Sequence, residues 1–489
     1  MQIAATNSTA QPVPVAILGV PFDIVTTEQT VTHIADMIGS RQPHYIATAN
    51  VDFVVQALRD VELRRILLDA HLVLCDGMPL VWASRFLGNR LPERVAGSDL
   101  VPRLLAEAEQ RGWRVFFLGG SETSVAVAAE KTRQRHPRLA LVGAYSPPFK
   151  PLLQMDHEDI LRRVREAKPD LLFVGFGCPK QEKWLNLHYR RAGVPVGIGV
   201  GGTIDFLAGT TQRAPVWMQR TGLEWIYRLL QEPRRLARRY GHDLSVFGVA
   251  ILRQCWQMRT RRQRHSAATL PSVGIQSDLP RVAIITPPAR LDAVAANREQ
   301  PAWAKTAAVN HVILQMNGVE FADSTGIGAL IQLQKQARAA HHGFVLAQPT
   351  AAVRNALRLM KLDELFVIVD AMSEARVRVT QMAGVRTEVG ATSGAATTMR
   401  WSGEITASNA DHVERSAAER LASLPAGATV TIDLSGVTFV DSGGVGMMVR
   451  LKKQLRLREI TLQFVRPAPV VQNVLVFTRL DDYLTGTPP

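Results

Sequence analysis

Cysteine is scarce in this sequence: only Cys75, Cys178 and Cys255 occur among 489 residues. An odd number of cysteines without paired metal-ligand spacing predicts neither a disulfide framework nor a cysteine-ligated metal site. Long apolar runs are also missing, because no stretch reaches the roughly 18 uninterrupted apolar residues of a membrane-spanning helix. The first residues, MQIAATNSTAQPVP, lack the basic region and apolar core of a secretion signal. We therefore expect a cytoplasmic protein in a reducing compartment.

The most informative segment is 168–205, KPDLLFVGFGCPKQEKWLNLHYRRAGVPVGIGVGGTID. It places two short apolar runs, 171–174 and 196–200, before glycine-rich turns. Such runs indicate parallel strands covered on both faces. Their carboxyl ends meet at one edge of an open sheet, where backbone amides and helix N-termini hold phosphate. Alternating strand and helix patterns from Val13 to about Tyr240 predict a Rossmann-like α/β domain with a parallel sheet.

Positive charge is concentrated in one window of the chain. The net charge is +14, and residues 212–265 hold twelve arginines and no lysines against three acids, so this window contributes +9. It is also rich in Trp, Leu and Ile. A basic amphipathic element with interfacial aromatics predicts contact with an anionic membrane surface. The alternative is a solvated arginine face on core helices. Nucleic acid is not expected as a partner, since no recognised binding motif accompanies the charge.

The second half of the chain repeats itself. Residues 312–338 align without gaps to 430–456 at an offset of 118, and 12 of the 27 positions are identical. This identity indicates a duplicated domain. The segment 261–277 is basic and then rich in Ser and Ala, and 383–398 is rich in Gly, Ala and Thr, as linkers are. The sequence therefore predicts a sheet domain at 14–240, a basic membrane-associating segment and linker at 241–280, and two small α/β domains at 281–382 and 398–486.

Eight motifs of the first domain follow one another in order. They are TANVDFVVQALRD (48–60), LCDGMPLVWASRFLG (74–88), ERVAGSDL (93–100), FFLGGS (116–121), YSPPF (145–149), GFGCPKQEKW (175–184), GVGGTIDFLAG (199–209) and RAPVWMQRTGLEWIYRLLQEP (213–233). Together they resemble the WecG/TagA/CpsF glycosyltransferases. The resemblance implies inverting, metal-independent transfer from a UDP-sugar to a polyprenyl-diphosphate-linked acceptor at the inner face of the cell membrane. It leaves N-acetylmannosamine, its uronic acid and glucose open as the donor sugar.

Asp76 is the candidate catalytic base. Inverting transfer needs a carboxylate that takes a proton from the acceptor hydroxyl as it attacks the anomeric carbon. Asp76 follows the apolar run 72–75 and precedes Gly77, which places it at the carboxyl edge of the sheet. It also matches the proposed catalytic aspartate of the family. Alternatively, Asp76 caps a helix that begins near Pro79.

Other polar residues are assigned to the substrates. Thr48 and Asn50 follow a predicted strand and, by the resemblance, contact sugar hydroxyls or an acetamido group; either could instead be a helix N-cap. The fork of Arg94 suits a diphosphate or a carboxylate, with a surface salt bridge as the alternative. The resemblance implies that Gln181 faces the donor.

Two glycine pairs are candidate diphosphate contacts. Gly119-Gly120 and Gly201-Gly202 end apolar runs and open helices, so the backbone can approach a ligand closely there. Plain tight turns are the alternative. Tyr145 and Asp205 are secondary candidates for nucleotide contact.

No metal cofactor is expected. The sequence lacks a DxD pair of the kind that carries Mg²⁺ on a diphosphate in metal-dependent transferases. Arg94 and backbone amides would then stabilise the departing UDP. In the family, the C-terminal appendage supplies arginines to the site, and the corresponding candidates are Arg213, Arg220 and Arg228.

The duplicated segments resemble STAS domains, the anti-sigma-factor-antagonist fold. One copy carries DSTGIG at 323–328 and the other DSGGVG at 441–446. In regulatory members a partner kinase phosphorylates this serine, which adds charge at a helix N-terminus. Ser324 and Ser442 are therefore candidate phosphorylation sites, and helix capping is the alternative role. Gln315 stands where the second copy has Asp433, which weakens the case for a phosphoswitch in the first copy.

The sequence thus predicts a membrane-associated glycosyltransferase with two STAS-like modules for regulation or assembly. The competing hypothesis is a scaffold that acts through the repeats while its transferase domain is degenerate. Intact Thr48, Asn50, Asp76, Arg94 and Gln181 argue against degeneracy. A dinucleotide-dependent oxidoreductase is excluded, because no G-x-G-x-x-G follows the first strand with an acid about 20 residues later.

Overall fold

The structure is a computed structural model. It describes residues 12–211, 213–215, 217–218, 223–231, 233–262, 274–279, 281–381, 386–393, 396–407 and 409–486. The chain forms two compact units. The larger unit comprises Thr27–Pro79, Arg94–Gly248 and the chain from Gln381 onward. The smaller unit comprises the chain up to Thr26, Leu80–Glu93 and Val249–Thr380.

Strands β3 to β8 form the six-stranded sheet of the larger unit. The strands are, in chain order, β1 Val15–Ile17, β2 Val20–Phe22, β3 His44–Ala49, β4 Leu72–Cys75, β5 Arg114–Gly119, β6 Ala140–Tyr145, β7 Leu171–Gly175, β8 Val196–Gly199, β9 Gly274–Leu279, β10 Val282–Thr286, β11 Arg290–Leu291, β12 His311–Gln315, β13 Phe321–Ala322, β14 Phe344–Ala347, β15 Ile368–Val369, β16 Arg386–Ser393, β17 Ala396–Ile405, β18 Thr429–Val440 and β19 Thr461–Val465. The order in this sheet is β4-β3-β8-β7-β5-β6, and all neighbours are parallel. The predicted parallel α/β fold is confirmed.

Helices connect these strands. They are, in chain order, α1 Thr27–Ser40, α2 Val51–Ala57, α3 Val61–Asp69, α4 Met78–Phe86, α5 Gly97–Arg111, α6 Glu122–Arg135, α7 His157–Ala167, α8 Lys180–His188, α9 Thr203–Ala208, α10 Glu224–Gln231, α11 Pro233–Arg262, α12 Ala293–Ala307, α13 Ser324–Ala339, α14 Ala351–Leu359, α15 Met372–Gln381, α16 Ala410–Arg420, α17 Ser442–Leu457, α18 Pro469–Thr478 and α19 Asp481–Thr485. The local sequence determines where some helices begin: the side chains of Asn50 and Asp60 cap the N-termini of α2 and α3.

The strand order determines where the site of the larger unit lies. β3 has β4 on one side and β8 on the other, so the chain leaves neighbouring strands in opposite directions there. A crevice forms at such a switch point, outside the carboxyl ends of the strands. The turns after β3, β4, β7 and β8 all reach this edge.

The second repeat belongs to the larger unit and forms a four-stranded sheet of its own. The order is β16-β17-β18-β19, with β16 antiparallel to β17 and the other pairs parallel. Asp433 of β18 is 1% exposed and is paired with Arg400 at 3.1 Å and Arg466 at 2.6 Å.

The first repeat lies in the smaller unit. Its sheet has the order β15-β14-β12-β10-β9, and only the β10–β9 pair is antiparallel. The hairpin of β1 and β2 packs on α13 of the same unit. A Cβ at Gly328 would lie 2.0 Å from the Pro14 carbonyl oxygen, so this close packing requires glycine.

The serines of the repeated motif are not helix caps. Asp323 caps α13 by accepting the N–H groups of Thr325 and Gly326, both at 2.8 Å. Asp441 caps α17 by accepting the N–H of Gly444 at 2.9 Å. The capping alternative for Ser324 and Ser442 is therefore wrong, because the preceding aspartate does this work. Both serines are buried, at 0% and 3% exposure.

The basic window is largely helical. α11 continues to Arg262, so the first part of the segment 241–280 is helix, and residues 263–273 lie outside the described ranges. No helix within the described ranges combines the length and apolarity needed to cross a bilayer.

Candidate active site

A cavity of about 540 Å³ opens at the carboxyl edge of the six-stranded sheet. The turns after β3, β4, β7 and β8 form its floor, and α10 and α11 contribute further lining residues. Of the residues predicted from sequence, the structure brings nine to this cavity. They are Thr48, Asn50, Asp76, Arg94, Gln181, Gly201, Gly202, Asp205 and Arg228.

Asp76 lies in the turn after β4. Its backbone N–H donates to the Ala49 carbonyl at 2.9 Å, which ties this turn to the end of β3. Burial raises the pKa of Asp76 to about 6. The Arg94 guanidinium and a hydrogen bond from the Gly97 N–H lower the pKa, whereas the Glu224 carboxylate raises it. The carboxyl group therefore changes charge close to neutral pH, as a general base should.

Thr48 and Asn50 both make bonds within the protein. The Thr48 hydroxyl donates to the Gly199 carbonyl at 2.7 Å, and the side chain is 4% exposed. This bond joins the ends of β3 and β8. The Asn50 side chain accepts the N–H of Phe53 at 3.3 Å, so the N-cap alternative holds for this residue. Both residues nevertheless line the cavity, and a sugar contact for either stays a prediction.

Arg94 and Arg213 share two carboxylates. Arg94 pairs with Asp99 at 2.6 Å and with Glu224 at 2.8 Å. Arg213 pairs with Asp99 at 2.7 Å and lies 3.7 Å from Glu224. Arg94 lines the cavity, whereas Arg213 is not among its lining residues. A diphosphate that binds Arg94 would compete with these carboxylates for the guanidinium.

Gln181 holds two turns together. Its side-chain oxygen accepts the N–H groups of Gly177 and Gly201, both at 3.1 Å. Its side-chain nitrogen donates to Glu182 at 2.7 Å. Gln181 is 1% exposed, so its amide serves the turns after β7 and β8 while it borders the cavity.

Some predicted residues lie elsewhere. Gly119, Gly120 and Tyr145 are not lining residues of the cavity. The Tyr145 hydroxyl donates to Asp159 at 3.3 Å, and the Arg163 guanidinium lies 4.4 Å above its ring. Their strands, β5 and β6, are at the far end of the sheet from β3 and β4. Arg220 lies outside the described residues.

One wall of the cavity was not predicted from the sequence. Residues of α11, namely Arg239, Tyr240, Asp243 and Leu244, line it. Asp52, the second residue of α2, lines the same cavity. Burial, and then the Asp52 carboxylate, raises the pKa of Asp243. The available signal was Asp243 itself, one of only three acids in a strongly basic window.

No group of three or more His, Cys, Asp or Glu side chains in the described part of the chain is arranged to hold a metal ion. The cavity is lined by arginines, carboxylates and the backbone of glycine turns.

Comparisons with known proteins identify both halves of the chain. The model of the glycosyl transferase WecG/TagA/CpsF family matches residues 15–261, and the STAS domain model matches residues 277–375 and 388–488. An N-acetylglucosaminyldiphosphoundecaprenol N-acetyl-beta-D-mannosaminyltransferase of Staphylococcus aureus (strain MW2) is 30% identical over 252 residues. The match spans 51% of this chain and 96% of that relative.

Two solved STAS structures are also similar to part of the chain. An anti-sigma-factor antagonist domain protein from Planctomyces limnophilus is 19% identical, with a TM-score of 0.21 over 22% of this chain and 97% of that one. The phosphorylated Bacillus cell fate determinant SpoIIAA is 19% identical, with a TM-score of 0.20 over 22% and 99%. Because these scores are low, the STAS assignment rests on the family model. The match over residues 15–261 shows that this chain belongs to the WecG/TagA/CpsF glycosyltransferase family, and two STAS domains follow its transferase segment.

Proposed function

We propose that this protein is an inverting transferase that moves a sugar from a UDP-sugar to a polyprenyl-diphosphate-linked saccharide in cell-surface polysaccharide synthesis. The observation that carries the proposal is Asp76, which lines the cavity near Arg94 and has a pKa raised to about 6. A base of this strength is largely ionised at neutral pH and still accepts a proton readily. The name of the Staphylococcus aureus relative supports a lipid-diphosphate acceptor and N-acetylmannosamine as the transferred sugar. The uronic acid and glucose are the other donor sugars to be tested.

The reaction proceeds by one displacement. The acceptor hydroxyl oxygen attacks the anomeric carbon from the face opposite UDP, while Asp76 takes the hydroxyl proton. The new carbon–oxygen bond forms as the bond from the anomeric carbon to the UDP oxygen breaks. UDP leaves with the electron pair, so the configuration at the anomeric carbon is inverted.

The leaving UDP is stabilised by arginines and backbone amides. The Nε of Arg228 is buried and has no hydrogen-bond partner among the described residues, so it can bind a ligand without breaking a bond. To bind the diphosphate, Arg94 must first give up its ion pair with Asp99 or with Glu224. Gly202 presents backbone at the same cavity, whereas the Gly201 N–H already donates to Gln181. The proposal includes no metal, and activity that persists in EDTA is the expected result.

We place the protein at the inner face of the membrane, where a polyprenyl-linked acceptor resides. Leu230, at the end of α10, is 74% exposed, and the neighbouring Arg234 and Arg238 of α11 are exposed. Further along α11, Leu252 and Trp256 are both 69% exposed and lie one turn apart. Apolar side chains flanked by arginines suit an anionic lipid surface.

Purified full-length protein should be incubated with UDP-N-acetylmannosamine, its uronic acid form and UDP-glucose, each with a short-chain polyprenyl-diphosphate N-acetylglucosamine acceptor. Product of inverted configuration with one donor, and none with Asp76→Asn, is the expected outcome. If no donor is turned over and UDP does not bind, the transferase proposal is wrong. The scaffold hypothesis, in which the STAS domains carry the function, would then be favoured.

A further inference from the structure

Residues 441–443 (Asp-Ser-Gly), here called the DSG end of the second STAS domain, are covered by helices α3 and α8 of the transferase segment. The backbone N–H of Ser442 donates to Glu62 of α3 at 2.5 Å. At Gly443 a Cβ would lie 3.0 Å from the Leu187 side chain of α8. Since Glu62 is 2% exposed and Ser442 is 3% exposed, this end of α17 is a closely packed interface.

Lys183 is the first of two cations of the transferase segment that contact the second STAS domain; Arg65 is the other. Lys183 of α8 pairs with Glu62 at 2.7 Å and with Asp60 at 2.8 Å. Burial lowers the pKa of Lys183, but these carboxylates outweigh it and hold the pKa above its ordinary value. Lys183 Nζ also lies 4.7 Å from the centre of the Phe477 ring in the STAS domain. The ammonium group therefore joins α8, α3 and α18.

Arg65 of α3 makes a forked pair with the STAS domain. Its two terminal nitrogens donate to the oxygens of Glu404 at 3.2 and 2.7 Å. The guanidinium also lies 4.8 Å above the Phe439 ring. The Arg65 side chain is 4% exposed, and a desolvated forked pair of this kind is strong and directional.

Helix α8 has one face toward the STAS domain and another toward β8, and Gln181 on that second face borders the cavity. Lys183 and Leu187, four residues apart, contact the DSG interface. Gln181 and Leu185, also four apart, face β8: a Cβ at Gly197 would lie 2.7 Å from Leu185. The position of α8 therefore affects both the interface and the two turns that Gln181 holds.

We propose that the second STAS domain is a positioning element for the donor site: docked through its DSG end, it holds α8 so that Gln181 keeps the Gly177 and Gly201 turns in place. This inference rests on the proposed function, because both turns line the cavity assigned to the UDP-sugar. Glu404, Arg65 and Lys183 are positioning residues that act through α8. The second STAS domain thus contributes to donor binding without touching the donor.

The test weakens the interface from the STAS side. Glu404→Arg places a second guanidinium beside Arg65, and Glu404→Gln is the milder variant should the first fail to fold. The matched control is Glu414→Arg, which breaks the 2.7 Å pair of Glu414 with Arg450 inside the same domain. Hydrogen–deuterium exchange of peptides covering 176–179 and 199–202 is measured in the full-length proteins, together with transfer kinetics.

In Glu404→Arg we expect exchange at Gly177 and Gly201 to rise by about tenfold, since a local opening that costs about 1.4 kcal/mol less is populated tenfold more. The KM for the UDP-sugar should rise by roughly three- to tenfold with kcat nearly unchanged, because the turns contribute to binding of the ground state. Glu404→Gln should show the same changes to a smaller extent, and Glu414→Arg should leave both readouts at parental values.

Two results would overturn the proposal. Faster exchange in α3 and α18 with unchanged exchange at Gly177 and Gly201 would show that undocking does not reach the turns. Unchanged exchange throughout in both Glu404 variants would show that the pair does not hold the interface. Hydrogen–deuterium exchange is measured without sugar transfer. It therefore tests the positioning role of the second STAS domain even if no UDP-sugar is a donor.

Discussion

Glu62 and Ser442, 380 positions apart in the chain, are joined by a hydrogen bond of 2.5 Å. A buried carboxylate thus accepts from the first N–H of α17, where the helix dipole favours negative charge. Lys183 neutralises the same carboxylate at 2.7 Å. A kinase could reach the Ser442 hydroxyl only after this interface opens. Phosphorylation of Ser442 stays a prediction, and the phosphate would meet the Glu62 carboxylate, which opposes redocking.

Asp76→Asn should abolish most sugar transfer. Loss of the general base slows such a step by about 10²–10⁴-fold. The amide keeps the shape of the carboxyl group, so UDP binding should stay near its parental value. Thermal stability should not fall, because the buried charge is removed. Single-turnover kinetics and calorimetric titration with UDP are the measurements. Near-parental turnover would leave Asp76 with a structural role only.

Transfer should lose activity in acid because Asp76 must be ionised. Burial, as the largest cause, raises its pKa to about 6, so kcat/KM should fall as the pH drops below about 6. Glu224→Gln removes a carboxylate that raises this pKa. The acid limb of the pH profile should therefore move to lower pH in that variant.

Arg94→Met provides the opposite control, because the Arg94 guanidinium lowers the pKa of Asp76. Its acid limb should move to higher pH, in addition to weaker donor binding. Profiles of kcat/KM between pH 4.5 and 8 test both variants. An acid limb that stays fixed in both would assign the titration to another group.

Binding to phosphatidylglycerol vesicles should weaken with salt, because charges separated by more than about 10 Å are screened at 0.1 M ionic strength. Each arginine near an anionic surface contributes about 1 kcal/mol. Arg234→Gln combined with Arg238→Gln should therefore weaken sedimentation with vesicles about tenfold or more. The matched control removes the same charge from the exposed end of α6, by Arg133→Gln with Arg135→Gln. If both double variants lose vesicle binding equally, Arg234 and Arg238 do not form a specific membrane-binding surface. Equal binding of the parent to neutral vesicles would contradict an electrostatic contact.

Local pattern was sufficient to predict much of the fold. Apolar runs before glycine turns gave the strands β7 and β8, and the position of Asp76 after β4 followed from the same pattern. The duplication predicted two similar domains, because each repeated motif is a continuous stretch of sequence that aligns without gaps to the other. Contacts inside one element or between successive elements are visible in this way.

Contacts between distant segments could not be predicted. Gln181 carries no signal that its amide oxygen accepts two glycine N–H groups from separate turns. The sequence around Glu62 does not predict its hydrogen bond with Ser442. The sequence around Asp52 likewise does not predict that its carboxylate interacts with Asp243. Such pairs depend on how whole helices pack, and a single sequence does not encode that in any short window.

Asp441→Asn should make stability less dependent on pH. Burial, and then the Glu62 carboxylate, raises the pKa of Asp441 from its ordinary 3.8 to about 7. Between these values the unfolded chain has lost the proton that the folded protein keeps, so this group reduces stability as the pH rises from about 4 to 7. Asparagine does not titrate, and its amide oxygen can still accept the N–H of Gly444. The variant should therefore gain stability relative to the parent as the pH rises over this range, by roughly 1–4 kcal/mol once the pH has reached about 7.

Asp433→Asn in the same domain should show the opposite sign. Burial raises the pKa of Asp433, but hydrogen bonds from Ser435, and then Arg400 and Arg466, hold it below its ordinary value. Its contribution to stability is therefore present at neutral pH and is lost as the pH falls through the folded pKa. This variant should be less stable than the parent at pH 7 and approach it in acid. Urea unfolding of both variants and the parent from pH 4 to 8 gives the comparison. If Asp441→Asn tracks the parent across this range, Asp441 is ionised in the folded protein at acidic pH, and Glu62 lies beside a carboxylate that is already charged.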